Sequence, residues 1–227
     1  MCGTCGCADE ESKTIVLEQQ VLAKNDGLAD ANRNWLQARG IAMINLMSSP
    51  GSGKTSLLAR TAREFDAAPL AAVEGDQETG LDAARLRDSG CPVVQINTGT
   101  GCHLDATMVA DGLRALRPPH HSVLFVENVG NLVCPALFDL GEQARVVLAS
   151  VTEGADKPLK YPHMFRAADL VLLNKIDLLP HVDFDVAGFI DAASMANPGV
   201  RVQRLSVTTG EGITEWYDWL GEQAHGY

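Results

Sequence analysis

The stretch Ser48-Ser49-Pro50-Gly51-Ser52-Gly53-Lys54-Thr55 holds the residue types that grip phosphate. The usual phosphate-loop pattern opens with Gly, where this chain has Ser48, but its working half, Gly-x-Gly-Lys-Thr, is intact. Gly51 and Gly53 let the backbone turn sharply, so that successive N–H groups from Ser52 to Ser56 point at an anion. The helix expected after the loop adds its positive N-terminal end. In such a loop Lys54 reaches the β- and γ-phosphates and the Thr55 hydroxyl ligates Mg²⁺.

A second constellation speaks to the base. Leu170-Val171-Leu172-Leu173-Asn174-Lys175-Ile176-Asp177 is an apolar strand ending in Asn-Lys-x-Asp. The Asp177 carboxylate can accept from the guanine N1–H and 2-amino groups, a donor pair adenine lacks. Asn174 can bridge toward a base acceptor and tie loops together, and the aliphatic stem of Lys175 can cover the base face. Ser206-Val207-Thr208 resembles an accompanying base-contact loop. Two carboxylates remain for Mg²⁺ and the attacking water. Asp76 closes Val73-Glu74-Gly75-Asp76, and Glu127 opens Glu127-Asn128-Val129-Gly130, where Gly130 N–H is placed to sense a γ-phosphate. Lys54, Asp76 and Glu127 are therefore the expected catalytic set. No Gln stands in an obvious water-positioning place, so slow intrinsic hydrolysis is expected.

The remaining signals are soft-metal ligands. Cys2, Cys5 and Cys7 crowd three thiols, with the terminal amine, into one Gly-containing loop. Four such donors suit square-planar nickel. A tetrahedral zinc site would want a fourth Cys or His, and a redox Cys-x-x-Cys would want a βαβ context that is missing here. Cys102 and His103 follow one strand, and Cys134 lies just past the Glu127–Gly130 loop. They can converge on an ion, within one chain or across two copies. Equally, Cys can be a small buried hydrophobe and His103 a helix cap. Cys91, beside Pro92, reads as structural.

These groups need a scaffold, and the apolar pattern supplies one. Short runs at Ala42–Met47, Leu70–Glu74, Val93–Asn97, Ser122–Glu127, Arg145–Val151, Leu170–Asn174 and Val202–Ser206 read as strands. Helical patterns lie between them, at Thr55–Phe65, Leu81–Ser89, Leu104–Leu116, Tyr161–Arg166, Ala187–Ala196 and Glu211–Gln223. The alternation predicts an α/β fold, a mostly parallel sheet flanked by helices. Residues 1–12 read as a mobile Cys-rich tail and 13–40 as an N-terminal helical segment, one helix or two with a break near Asn25-Asp26-Gly27. Residues 41–227 read as a single P-loop domain. At 227 residues the chain can bury a core without disulfides. Its 18 Lys and Arg against 29 Asp and Glu, a net charge of −11, argue against nucleic acid or an anionic membrane as partner. No signal peptide opens the chain and no apolar stretch nears the roughly 20 residues of a membrane span. A cytoplasmic location is expected.

The motifs occur in one order: Cys-x-x-Cys-Gly-Cys, Ser-Pro-Gly-Ser-Gly-Lys-Thr, Glu-Gly-Asp, Cys-His-Leu, Glu-Asn-Val-Gly-Asn-Leu-Val-Cys-Pro, Val-Thr-Glu-Gly-x-Asp-Lys-Pro-Leu-Lys-Tyr-Pro and Asn-Lys-Ile-Asp. Together they closely resemble the hydrogenase maturation GTPases that help insert nickel, metallochaperones of the wider class that includes the urease accessory GTPase. The resemblance spans essentially the whole chain. It implies GTP hydrolysis coupled to nickel delivery to the large-subunit precursor of a [NiFe]-hydrogenase. It further implies a GTP-dependent homodimer and a companion nickel-binding maturation protein. It implies a tight nickel site on Cys2, Cys5 and Cys7, and a second nickel or zinc site on Cys102, His103 and Cys134. Lys157 would contribute a contact to nucleotide across the dimer. The His-rich stretch of some relatives is absent. Rival readings are a chaperone for urease or a cobalamin enzyme, a nucleotide-gated metal-binding scaffold, and a P-loop ATPase or kinase. The Cys-rich tail speaks against the first and Asn174–Asp177 against the last.

Overall fold

A computed structural model describes residues 7–76, 80–99 and 101–225, with side chains of the first helix described from residue 20 onward, residue 21 excepted. In chain order the elements are α1 (Cys7–Gln37), β1 (Ala42–Ser48), α2 (Lys54–Glu64), β2 (Leu70–Asp76), α3 (Leu81–Asp88), β3 (Val93–Asn97), α4 (Ala106–Leu116) and β4 (Val123–Glu127). A 3₁₀ turn (Cys134–Leu137) precedes β5 (Ala144–Ser150), α5 (Lys157–Lys160), α6 (Pro162–Arg166) and β6 (Leu170–Asn174). A second 3₁₀ turn (Ile176–His181) leads to α7 (Val186–Ala196), β7 (Arg201–Arg204) and α8 (Ile213–Ala224).

The seven strands form one sheet in the order β3-β2-β4-β1-β5-β6-β7, and every pairing is parallel. Parallel strands need covered faces, which is why β1 is buried at every position. One face packs Ile44, Leu46, Ala72, Phe125, Val146 and Leu148 against Leu57 and Leu58 of α2 and Trp216 and Leu220 of α8. The Trp216 indole N–H is satisfied by Thr61 Oγ1 at 3.0 Å. The other face is covered in two patches. Met43, Val73 and Val126 meet Leu36, Val109 and Leu113, while Val147, Val171 and Leu173 meet Phe165 and Phe189.

The chain leaves β1 toward β2 and β3, returns to β4, and then crosses to β5 on the other side of β1. That reversal opens a crevice at the C-terminal ends of β1, β2 and β4, where doubly wound sheets take ligands. The phosphate loop, Asp76 and Glu127 all lie there.

Of the one helix or two expected over 13–40, α1 is one, running through Asn25-Asp26-Gly27 without a break. Asn25 does not cap or turn the chain, because its amide is spent on tertiary partners, Ala106 N and Asp139 O. Two boundaries shift. α1 starts at Cys7, so residues 7–12 of the expected tail belong to the helix. The helix expected from Leu104 starts at Ala106, because Asp105 caps it by accepting from Met108 N at 2.8 Å. Leu104 is thereby freed to enter the core, where it is fully buried. Among the described residues no helix is long and apolar enough to cross a membrane.

Candidate functional site

The phosphate loop takes the shape its glycines allow. Gly51 and Gly53 sit at φ +76° and +106°, the left-handed region closed to most side chains. A Cβ on Gly53 would lie 2.6 Å from the Asn174 amide nitrogen. That amide donates to Ser52 O at 2.9 Å, and Lys175 Nζ donates to Gly51 O at 2.7 Å. The Asn-Lys-x-Asp segment is thus stitched directly to the phosphate loop. Asn174 Oδ1 accepts from Val207 N at 3.2 Å, so one amide holds the phosphate loop and the Ser206–Thr208 loop together. Ser206 lies past the end of β7, and its hydroxyl donates to Asp177 Oδ1 at 2.6 Å. Arg60 of α2 supports the same loop through Val207 O at 2.7 Å, a contact invisible in sequence because its partner is a backbone carbonyl far along the chain.

Next to the loop lies a cavity of about 430 Å³ lined by Gly51, Lys54, Thr55, Asp76, Glu127 and Gly130, among others. Lys54 is buried and donates to Ser48 Oγ at 2.8 Å, so the residue that departs from the usual Gly is the one that holds the lysine. Burial pushes the Lys54 ammonium below its ordinary range, opposed first by the Glu127 charge. Thr55 Oγ1 donates to Glu127 Oε1 at 2.7 Å. Gly130 is pressed against Pro50, where a Cβ would meet backbone at 3.1 Å.

Glu74 joins the candidate site; it stands in the Glu-Gly-Asp motif, from which only Asp76 was expected to act. It pairs in register with Glu127 across β2 and β4 and lines the same cavity. The Val-Glu-Gly-Asp strand end was its only signal, since side chains two apart on a strand share a face. Glu74 Oε2 and Glu127 Oε2 are both buried without a hydrogen-bond partner among the described residues. Orphaned buried carboxylate oxygens beside a hydroxyl are the donor set a hard divalent cation wants, so Thr55, Glu127, Glu74 and Asp76 fit Mg²⁺.

Burial, reinforced by Glu127 and Asp76, pushes Glu74 up to about 8. Burial raises Glu127 to about 7, against the pull of Lys54 and Thr55. Between about pH 4.5 and these values the folded protein keeps protons that the unfolded chain has lost. Their contribution to stability is present below that window and is lost as pH rises through it. Glu74→Gln holds the neutral form at every pH. Its Tm is expected to climb relative to the unsubstituted, nucleotide-free protein from about pH 5 to about pH 8. A Tm difference that does not change with pH contradicts this.

The second cluster sits beside the first. Cys102 and Cys134 converge within the same chain, Sγ to Sγ at 2.8 Å, with His103 Nδ1 at 3.6 Å from Cys102 Sγ. One donor atom from each of the three lies within 4.8 Å of the others, a spacing that one ion can bridge. His103 is not a helix cap; its ring stacks on Phe138 at 3.9 Å. The hydrogen bond to Cys134, then burial, raises the Cys102 thiol, and burial lowers His103. Soft thiolates with one imidazole suit nickel or zinc. Cys91 is buried elsewhere, its thiol raised to about 11 by burial. Cys2 and Cys5 lie outside the described residues. Cys7 heads α1, but its side chain is outside them too. Lys157 Nζ lies 2.7 Å from Glu153 Oε2, which also accepts from Ser49 Oγ at 2.5 Å, so Lys157 is tied to the phosphate loop of its own chain.

The two clusters share a joint at Leu104, the residue after His103. Its N–H donates to Asn128 Oδ1 at 3.2 Å, one residue past Glu127. Its side chain fills the space that the missing Cβ of Gly75 leaves, at 2.8 Å from that position, between Glu74 and Asp76. Asn131 Nδ2 adds a bond to Cys102 O at 3.3 Å.

Known proteins are similar to this chain in sequence and in fold. The family model described as CobW/HypB/UreG, nucleotide-binding domain, matches residues 42–204. The hydrogenase maturation factor HypB of Azotobacter vinelandii is 56% identical over 214 residues, 94% of this chain and 71% of the relative. That of Escherichia coli K12 is 52% identical over 222 residues, 97% and 77% respectively. The crystal structure of HypB from Helicobacter pylori in complex with nickel superposes with a TM-score of 0.84 at 37% identity, covering 89% of this chain and 96% of that one. HypB from Archaeoglobus fulgidus gives 0.84 at 40% identity, covering 90% and 100%. The chain belongs to the HypB family of hydrogenase maturation factors, within the CobW/HypB/UreG nucleotide-binding domains.

Proposed function

We propose that the chain is a GTP-hydrolysing nickel metallochaperone that helps insert nickel into the large subunit of a [NiFe]-hydrogenase. The observation that carries this reading is Leu104, which joins the Cys102–His103–Cys134 cluster to both carboxylate-bearing strand ends at once. The phosphates enter the cradle of Gly51, Ser52, Gly53, Lys54, Thr55 and Ser56, and Lys54 leaves Ser48 Oγ to meet them. Asp177 reads the guanine edge, with Ser206 holding one of its oxygens. Thr55 and Glu127, with Asp76 and Glu74, would hold Mg²⁺, which would supply neutralisation of the phosphate charge. Gly130 N–H senses the γ-phosphate, and its loss releases the loop. Asn128 rides on that loop, so the release reaches Leu104 N–H and changes the hold on Cys102 and His103.

The nickel or zinc ion is cargo on Cys102, His103 and Cys134. A tighter nickel site is assigned to Cys2, Cys5 and Cys7, with a companion nickel-binding maturation protein as partner in the cytoplasm. Val133 and Leu137 are about half exposed on either side of Cys134. That apolar face suits a second copy, in keeping with a GTP-dependent homodimer. The test is nickel release to a chelator followed through a single turnover of GTP. Release is expected to accelerate with hydrolysis, and Lys54→Ala is expected to lose both hydrolysis and acceleration. Equal release from Lys54→Ala would make hydrolysis incidental and favour a passive metal-binding scaffold.

A further inference from the structure

The Cys102–His103 loop and the Cys134 loop are separate stretches of chain, and among the described residues no disulfide joins them. The stretch just before Cys134 is tied to the Cys102–His103 loop by Asn128, at Leu104 N, and by Asn131, at Cys102 O. Their downstream ends, Ala106 and Asp139–Leu140, meet on one face of α1. Asn25 Oδ1 accepts from Ala106 N at 3.0 Å while its Nδ2 donates to Asp139 O at 2.7 Å. Asn32 Nδ2 donates both to Ala106 O at 2.9 Å and to Leu140 O at 3.1 Å. Each amide therefore touches both loops.

The two positions are seven apart, about two helical turns, and so share a face. Ala29 and Leu36 interleave with them, and all four are buried. The approach is close, since a Cβ on Gly141 would lie 2.4 Å from Ala29 O. The lever to the ligands is short. Asp139 follows Phe138, whose ring carries His103, and Ala106 stands three residues after His103. Surface contact alone would not call for buried amides here. A buried Asn is costly unless its groups are paired, and these are spent on bridging two loops that carry metal ligands.

We infer that Asn25 and Asn32 are positioning residues of the Cys102–His103–Cys134 site, a clasp by which α1 sets the separation of its two loops. The inference rests on the metal-site reading above. It also makes α1, which continues directly from the segment holding Cys2 and Cys5, part of the support of the second site.

The test uses the full chain with Cys2, Cys5 and Cys7 changed to Ser, so that only the second site is read. Ni²⁺ and Zn²⁺ affinities are measured by chelator competition, with GDP affinity and Tm alongside. Asn25→Ala and Asn32→Ala are expected to weaken metal binding roughly tenfold or more, the usual scale for residues that orient ligands. GDP affinity should stay within about twofold. Asn34→Ala, an exposed amide on the same helix, should match the parent. Ala106→Pro leaves α1 intact. It replaces the N–H that Asn25 accepts with a ring methylene against Asn25 Oδ1, at a first helical position that Pro's backbone fits, after an extended Asp105. It is expected to weaken metal binding at least about threefold, and it decides the matter if the Asn variants do not fold. Metal affinity equal to the parent in folded variants overturns the clasp, as does a parallel fall of metal and GDP affinity in proportion to Tm. A parent that binds no metal fails the metal-site reading instead.

Discussion

Asp177→Asn is expected to turn the base pocket from guanine to xanthine. The carboxylate accepts from Ser206 Oγ through Oδ1, which leaves the rest of the group free to face the base edge. An amide in its place keeps an acceptor for Ser206 but presents N–H₂ to the guanine 2-amino group, donor against donor. Two charge-assisted hydrogen bonds at roughly 1.5–3 kcal/mol each are lost. That corresponds to about a hundredfold to ten-thousandfold in GTP affinity. Xanthine carries an oxygen where guanine has the amine, so xanthosine triphosphate should bind more tightly than GTP. Asp177 is only half-buried, so the fold should tolerate the change. Titration with both nucleotides checks it, and unchanged GTP affinity counts against the guanine reading.

The second large effect is at the thiols. In a chain already carrying Cys2→Ser, Cys5→Ser and Cys7→Ser, the pair Cys102→Ser and Cys134→Ser removes two of three soft donors. Thiolate–imidazole zinc sites bind with about 10–16 kcal/mol in all. Losing two donors should therefore cost roughly 5 kcal/mol or more, three to four decades in Kd. Both positions are half-buried and near solvent, so nucleotide affinity and Tm should change little. Cys91→Ala, in the core beneath β2 and β3, should leave metal affinity untouched. Chelator competition and thiolate-to-nickel absorbance read the difference. Retained affinity in the double variant would remove Cys102 and Cys134 from the metal site.

The fold was legible because parallel strands buried on both faces write themselves as continuous apolar runs, and all seven expected strands are present with ends shifted by a residue or two. The motif groups were legible for a related reason. The phosphate-loop glycines, Lys54–Thr55 and Asn174–Asp177 lie at or just past strand ends, so local spacing carries their geometry. What stayed hidden depends on partners distant in sequence. Glu74 matters because β2 lies beside β4, which puts it opposite Glu127. Arg60 matters because Val207 O arrives above it. Asn25 beside Asp26 and Gly27 carries a turn composition, and only the carbonyl of Asp139 and the N–H of Ala106 make it a helix-interior residue. The short α5 at Lys157–Lys160 had no apolar period long enough to show.

In the proposed mechanism, nucleotide state and metal hold are coupled through Asn128 and Leu104. Coupling between two ligands is reciprocal and commonly falls in the range of about 5- to 150-fold. The direct measurement is nickel affinity of the protein with Cys2, Cys5 and Cys7 changed to Ser, saturated in turn with GDP and with a non-hydrolysable GTP analogue in the presence of Mg²⁺. The two affinities are expected to differ by about fivefold or more, with nickel changing the ratio of GTP-analogue to GDP affinity by the same factor. Identical nickel affinities in the two states would contradict it.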